Sequence, residues 1–449
     1  MSIRNILRPD ISIIGAGIIG NSIALSLQRK GFQVSVYDSN PSPGFGTTSY
    51  SSGICRMYYS LLDSAKLSYE GYHYFKDWQN ALKLSNQNQI AKLNECGALI
   101  LKSDKSKDFI KQTSQIMTSI GVPVEELDFI ETKEKVRKLG FDIDNNYQTV
   151  NPDDENFGVP KEVNDIIGSI YMPESGYVGD PQLAANNLFK AAEEEGVIFN
   201  FKSQVTDIIV ENGKVTGLDL ANNTLIDCPI VINAAGPYSS QINNMIYENN
   251  NLVSDINIKC RPLRIEVSYT NELDKSINIE KDGSVIIDLD LGVYFRPDIG
   301  NKFLIGATEP ECDPLIWIDN LAELDDGITD QWTNQMYRAA LRMPGMPIPG
   351  GTNKKFVVST YDVSDDWTPI YDKSNIDGYY MAMGTSGNQF KNAGAIGPMF
   401  ADLVEQVENG RLHDTNPVIH KLKYLNEEIN LATFSRLREP MKTAANVFG

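Results

Sequence analysis

The stretch IIGAGIIG, Ile13 to Gly20, constrains this chain more than any other. It sits inside DISIIGAGIIGNSIALSLQRKGFQVSVYDSN, which reads as a strand, a helix and a second parallel strand. Ile11 to Ile14 is a short apolar run suited to a buried parallel strand. Gly15, Gly17 and Gly20 then open a helix whose apolar side carries Ile23, Ala24 and Leu27. Gly31 stops that helix, and FQVSVYD forms the second strand, ending at Asp38. Each glycine has a mechanical role: Gly15 makes the tight turn, Gly17 admits a pyrophosphate, and Gly20 lets helix and strand pack closely. From Ile18 the helix offers free N–H groups and a partial positive charge to phosphates. Asp38, with Ser39 beside it, stands where a carboxylate holds ribose hydroxyls. The unit predicts a dinucleotide site without deciding between NAD and FAD. The bland alternative is an ordinary tight strand–helix turn.

A second glycine-rich loop, GTSGNQFK from Gly384 to Lys391, lies near the other end and runs into an apolar-periodic stretch. Two such loops suggest that both ends of the chain converge on one ligand. The remaining composition narrows the chemistry. A net charge of −19 argues against nucleic acid or an anionic membrane as the main partner. Three histidines nearly remove histidine-centred metal sites and Ser-His-Asp hydrolysis, so no metal is expected and the chemistry points to a cofactor. Five scattered cysteines lack metal or redox spacing and read as reduced thiols. No apolar run reaches spanning length, and MSIRNILRPD has no signal-peptide core, so the expected location is the cytoplasm.

With 449 residues the chain has room for two or three domains. PSPGFGTTSYSSGICR is a long small-residue loop, and SAKLSYEGYHYFKDWQNAL reads as helix, with Leu67, Tyr74 and Trp78 apolar. CGALILKS is a strand, and Lys105 to Ile120 reads as a helix with Phe109, Ile116 and Ile120 inward. The polar stretch around residues 144–165 reads as an inserted surface loop of unassigned role. Asp180 and Pro181 start a helix that Gly196 closes. Strands follow, with a hairpin turn at ENGK, a buried strand at Ile230 to Asn233, and more strands from about Arg261 to Thr308. Alternating mixed and antiparallel blocks predict two interleaved domains.

At matching order along the chain, the fingerprint with Asp38, SGICR at Ser52 to Arg56, INAAGPYS at Ile232 to Ser239 and GTSGNQFK carry a resemblance. GYVGDPQLA, GVYFRP, IGATEP and DDWTPIYD support it. The sequence resembles the flavin-dependent D-amino-acid oxidase, glycine oxidase and sarcosine oxidase superfamily. The resemblance implies an α/β plus α+β chain, a Rossmann-like FAD-binding domain interleaved with an antiparallel-sheet substrate domain. The expected boundaries are 1–93, 170–245 and 358–449 for the first, and 94–169 and 246–357 for the second.

By position, the resemblance places Thr47, Thr48, Ser51, Ser52 and Gly53 at the flavin half or phosphates of FAD, Val205 by the adenine, and Ala235 and Gly236 along the pyrophosphate. Gly384, Gly387, Asn388, Gln389 and Phe390 would lie along the isoalloxazine edge. It gives Lys391 the substrate carboxylate, with Arg56 or Arg296 in support, and puts Tyr294 over the flavin. Arg296 shares the strand face of Tyr294 but is the weaker candidate, since a sheet-edge arginine is often a surface residue. Tyr59 stands where the sarcosine oxidases have a second arginine, and Ser359 where they have the flavin-linking cysteine, so FAD is expected non-covalently bound. Leu304 replaces their oxygen-site lysine, which leaves oxygen or an electron carrier open as acceptor. Pro398 either kinks the last helix or marks its start.

The implied reaction is oxidation of a small amino acid or N-methylamino acid, of sarcosine, dimethylglycine, glycine or proline type, by hydride transfer to flavin N5. The imine then hydrolyses. The alternatives are a flavin-dependent 2-hydroxy-acid dehydrogenase and a weakly catalytic flavoprotein acting as an assembly or interaction factor. Oligomeric state is not legible.

Overall fold

The fingerprint strand is central to a six-stranded sheet ordered Ile370–Lys373, Tyr379–Met383, Ile230–Asn233, Ile11–Ile14, Val34–Asp38, Ile198–Phe201. A computed structural model describes residues 9–85 and 89–441; the first eight residues of MSIRNILRPD lie outside the described ones. All neighbours in this sheet are parallel except the Ile370–Lys373 edge. Ile11–Ile14 and Ile230–Asn233 are buried at every position, as strands covered on both faces must be. One face, through Ile11, Ile13, Val36 and Ile232, packs on helices Ile18–Arg29, Pro181–Glu194 and Ala393–Glu408. The other, through Ile14, Tyr37 and Val231, packs on helix Ser239–Asn249 and a three-stranded meander whose hairpin turns at Asn212 and Gly213, both left-handed.

The second sheet has eight strands, ordered Phe356–Ser364, Cys260–Tyr269, Lys302–Ala307, Val293–Asp298, Val285–Asp288, Ala98–Ser103, Ile166–Met172, Glu125–Asp128. It is antiparallel apart from the pairing of Val285–Asp288 with Ala98–Ser103. One face carries Ile287, Tyr294 and Leu304 and packs with Tyr58, Tyr69 and Tyr72 from the first half of the chain. The opposite face packs on helix Asp330–Arg342 through Trp332, Met336 and Ala339. Among the described residues no helix is long and apolar enough to cross a membrane.

Three local expectations change. The helix expected through Leu82 breaks at Asp77, giving Leu62–Lys76 and Trp78–Leu82. The helix expected from Lys105 spans Lys107–Ser119, and its buried face is Ile110, Thr113 and Met117. Phe109, Ile116 and Ile120 flank that stripe half-buried, because the true stripe is rotated by one residue. Pro398 does not mark a start: its helix begins at Ala393 and holds the proline inside.

The polar insertion around residues 144–165 is tied down from beneath. Arg342, fully buried, pairs with Asp288 at 2.7 Å and donates to the carbonyls of Asp142 and Asn145. Asn146 bonds both Asp165 and Asp290. Removing one partner of a buried pair strands the other charge. Asp288→Ala is therefore expected to cost about 3–5 kcal/mol in denaturant unfolding. A change below about 1 kcal/mol, the range of exposed pairs, would refute burial of this network.

Candidate functional site

Three segments meet at the fingerprint. Gly15 has φ +110°, and a Cβ there would stand 2.3 Å from the Ala234 carbonyl oxygen. A Cβ at Gly20 would lie 2.0 Å from the Gly15 oxygen, so helix and turn touch through backbone alone. Gly17 is ordinary extended backbone, and its Cβ would meet only Thr48 Oγ1 at 3.3 Å. The helix that follows takes no cap from its own N-cap residue, Gly17, and has no acid in its first turn, so no charge offsets its positive end. The Ile18 N–H donates to Thr48 Oγ1 at 3.2 Å. Gly236, with φ +57°, approaches Thr47 from the third segment. Asp38 braces the turn: Oδ2 accepts from the Ala16 N–H at 2.7 Å, and Oδ1 from the Asn40 N–H at 2.8 Å. Val205 is buried beside Ile14 and Tyr37.

The run from Thr47 to Gly53 leads from this cradle to a small cleft. Ser51 and Ser52 line its near side, Arg56 and Lys391 supply positive charge, and Ile287, Tyr294 and Tyr361 form the sheet wall. Gly387, Asn388 and Phe390 of the second glycine loop complete it. Gly53, at φ +64°, lets the run press on the Val178 carbonyl. The ring of Tyr294 lies over Gly306 of the neighbouring strand, where a Cβ would stand 2.3 Å from it. Burial, partly offset by Ser52, pushes the Tyr294 phenol up to about 12.

The second loop is held by Asp362. Its Oδ2 accepts from the Gly384 N–H at 2.6 Å and its backbone carbonyl from the Ser386 N–H at 2.7 Å. Gly384, Ser386 and Gly387 all have positive φ, and a Cβ on Gly387 would strike the Tyr361 ring. Gln389 accepts from the Tyr371 hydroxyl at 3.0 Å, and Phe390 stacks on Phe75. Burial, opposed by the Gly384 and Thr385 amides, raises the Asp362 carboxyl from 3.8 to about 7. A raised acid contributes stability that is present below its unfolded pKa and lost as pH rises through the folded one. Asp362→Asn is therefore expected to gain on the wild type in melting temperature as pH rises from about 4 to about 7. A constant difference across that window would contradict the burial of this charge.

Lys391 is 3% exposed; its Nζ donates to the Tyr59 hydroxyl and to the Asn388 carbonyl at 2.6 Å. Burial pulls the Lys391 ammonium below its ordinary value, with Tyr59 opposing and Arg56 assisting. Gly71 of helix Leu62–Lys76 admits the Lys391 backbone, since a Cβ there would stand 2.3 Å from its carbonyl oxygen.

Lys391, Arg56 and Tyr294 thus share one cleft with Ser51, Ser52, Gly387, Asn388 and Phe390. Arg296 does not line it. It lies on an interior strand rather than an edge, 4% exposed, paired with Asp298 at 2.9 Å and set over the Tyr177 ring. Tyr361 and Ile287 line the cleft without belonging to any of the sequence motifs. Tyr361 stands two residues after Ser359, on the same strand face, which is the signal that identifies it. In sequence Tyr59 stands out only as a substitution; its hydrogen bond to Lys391 comes from folding.

A family profile described as DAO, FAD dependent oxidoreductase, matches residues 10–403. Glycerol 3-phosphate dehydrogenase of Caloramator mitchellensis is 29% identical over 317 residues, covering 68% of this chain and 56% of that protein. The chain thus spans about half the length of that relative. Among solved structures, L-proline dehydrogenase from P. horikoshii superposes with a TM-score of 0.71 at 21% identity, covering 89% of this chain and 94% of that one. Glycine oxidase from Bacillus cereus gives 0.67 at 20% identity, covering 91% and 98%. At such identities the structural likeness speaks to the fold.

Proposed function

Because this chain belongs to the DAO family of FAD-dependent oxidoreductases, we propose that it oxidises a small amino acid or N-methylamino acid in the cleft of Lys391 and Arg56. FAD suits the residues present: a helix start with no acid in its first turn, Gly15 and Gly20 whose Cβ positions are taken by backbone, and Thr47, Thr48 and Gly236 gathered beside them. Gly15 to Gly20, Asp38 and Ser39 would hold its adenosine half, Ala235 and Gly236 its pyrophosphate, and Gly384 to Phe390 its ring edge. Ser359, not cysteine, matches a non-covalent link. FAD supplies the two-electron acceptor when bound.

The observation that carries the reading is a buried lysine sharing a small cleft with an arginine and two tyrosines, beside the second glycine loop. Lys391 and Arg56 bind the substrate carboxylate. Tyr294 and Tyr361 exclude water and press the substrate towards the loop of Gly384 to Asn388. Orientation, not a strong acid or base, is what these residues provide. The substrate loses two electrons and its C–H hydrogen, and the resulting imine hydrolyses in water. The electron acceptor that closes the cycle is oxygen or a carrier protein, and the scattered cysteines keep the cytoplasm as the proposed location.

The similarity to a glycerol 3-phosphate dehydrogenase favours a second reading, an anionic alcohol as substrate. Anaerobic mixing separates the two. Sarcosine, dimethylglycine, glycine, proline and D-alanine are compared with 2-hydroxyglutarate and glycerol 3-phosphate for bleaching of the flavin band. Bleaching by one of the amines is expected. Bleaching by the alcohols alone would replace the main reading with the second. A flavin that none reduces would favour an assembly or interaction factor.

A further inference from the structure

Arg296 is 4% exposed, yet it uses little of what a guanidinium offers. Its Nη2 donates to Asp298 Oδ1 at 2.9 Å, and its Nε is buried with no partner among the described residues. Arg264, Arg338, Arg342 and Arg436 are as deeply buried, and each bonds through Nε, Nη1 and Nη2. A buried donor left unpaired is destabilising, so Arg296 is kept at a cost that its own contacts do not offset. The strand register says what lies beside it. Arg296 follows Tyr294 by two residues on one sheet face, about 7 Å further along the strand. Its guanidinium is 4.8 Å from the ring centre of Tyr177, which pairs with Ile54 in the small sheet. Tyr294 and Ile54 both line the cleft, so Arg296 is the next residue outward from its wall. One row further out, Asp298 stands opposite Lys302, and Lys354, Lys355 and Tyr269 join them around an open pocket. On a chain of net charge −19, these lysines and Arg296 form a cationic track from the surface towards the cleft.

Resting on the amino-acid reading above, we propose that the substrate carries a second carboxylate and that Arg296 binds it. Lys391 and Arg56 hold the carboxylate next to the amine, and the second one lies beyond Tyr294. There it meets the Nε–Nη2 edge of Arg296, whose two parallel N–H bonds match the two oxygens of a carboxylate. Asp298 now holds Nη2, but its side chain is 24% exposed against 5% for Arg296, so it gives way to the substrate and turns to water. Lys302, Lys354 and Lys355 draw such an anion to the entrance. The substrate class is therefore an amino dicarboxylate, of glutamate, N-methylglutamate or iminodiacetate type. A neutral side chain leaves Nε bare, so sarcosine and glycine are the slower substrates.

Matched pairs test this on the flavoprotein, each pair differing only in the second charge. They are glutamate and glutamine, N-methylglutamate and N-methylglutamine, in both enantiomers, and iminodiacetate and its monoamide, with sarcosine alongside. Anaerobic flavin reduction gives kcat/KM for every member. The best dicarboxylate is expected to exceed its amide by about 10- to 150-fold, the worth of one charge-assisted contact. Arg296→Met is expected to bring that ratio to about one, and Arg296→Lys to restore part of it. Both members of a pair are read on the same protein, so a partly folded variant does not distort the ratio. A wild-type ratio near one in every pair, with sarcosine still bleaching the flavin, would overturn this proposal and leave the amino-acid reading standing. That comparison needs no variant. A ratio that survives in Arg296→Met would also overturn it, by placing the second carboxylate elsewhere. Bleaching by no amine at all would overturn the amino-acid reading and this proposal together, so the two failures are distinguishable.

Discussion

Lys391→Met is expected to lower kcat/KM for the amine substrate by about 10- to 150-fold while leaving the FAD content unchanged. The range follows from losing one charge-assisted bond, about 1.5–3 kcal/mol, at 1.4 kcal/mol per factor of ten. Methionine retains the apolar stem in a site that is 3% exposed, so the change removes charge more than packing. If the carboxylate is anchored alike in ground and transition states, the loss falls on KM; if the anchor also sets the approach of the C–H bond, kcat falls too. Steady-state kinetics with acid and amide forms of one substrate decide this. The wild type is expected to prefer the acid and Lys391→Met to lose that preference. An unchanged preference would place the carboxylate on Arg56 alone.

Substitutions at two glycines of the fingerprint are expected to separate cofactor binding from folding. Gly17 has φ −71°, a conformation open to any residue, and its Cβ would meet only Thr48 Oγ1 at 3.3 Å. Gly17→Ala is therefore expected to fold and yet lose FAD by tenfold or more in affinity, because its methyl group occupies the approach of the pyrophosphate. Gly15 has φ +110° and no space, with its Cβ position 2.3 Å from the Ala234 oxygen. Gly15→Ala is expected to lower stability by at least the 1–3 kcal/mol of a strained backbone, before any clash. Flavin content and melting temperature, measured together, give opposite signatures for the two variants. A Gly17→Ala protein that purifies fully yellow would remove the phosphates from this turn.

Much of this arrangement was legible because backbone geometry leaves a mark in residue type. The glycines at 15, 17 and 20, the strand ending at Asp38 and the Asp180–Pro181 helix start each reflect a local rule, and each element forms as expected. Lys391, Tyr294 and Arg56 were reached through the order of several motifs, and they line one cleft although they are far apart in sequence. What stayed hidden depends on tertiary packing. Arg296 reads as an edge residue until the strand order puts three strands on one side and four on the other. The rotation of the Lys107–Ser119 face is set by what it packs against, not by its own pattern, in which Phe109 and Ile110 are equally apolar neighbours. The bond between Tyr59 and Lys391 spans 332 positions, beyond the reach of any local rule. Asp362 likewise appears as one acid among many until its oxygen is found on the Gly384 amide.

The central claim is that a carboxylate-bearing amine is oxidised beside the loop of Gly384 to Lys391 by FAD bound to this chain. The most direct measurement is a single anaerobic turnover with the best amine from the panel, counting flavin reduced and carbonyl product released. The account predicts one carbonyl and one amine or ammonia molecule for each flavin bleached, with both signals reduced alike in Lys391→Met. Bleaching without an amine-derived product, or product formation indifferent to Lys391, would contradict it.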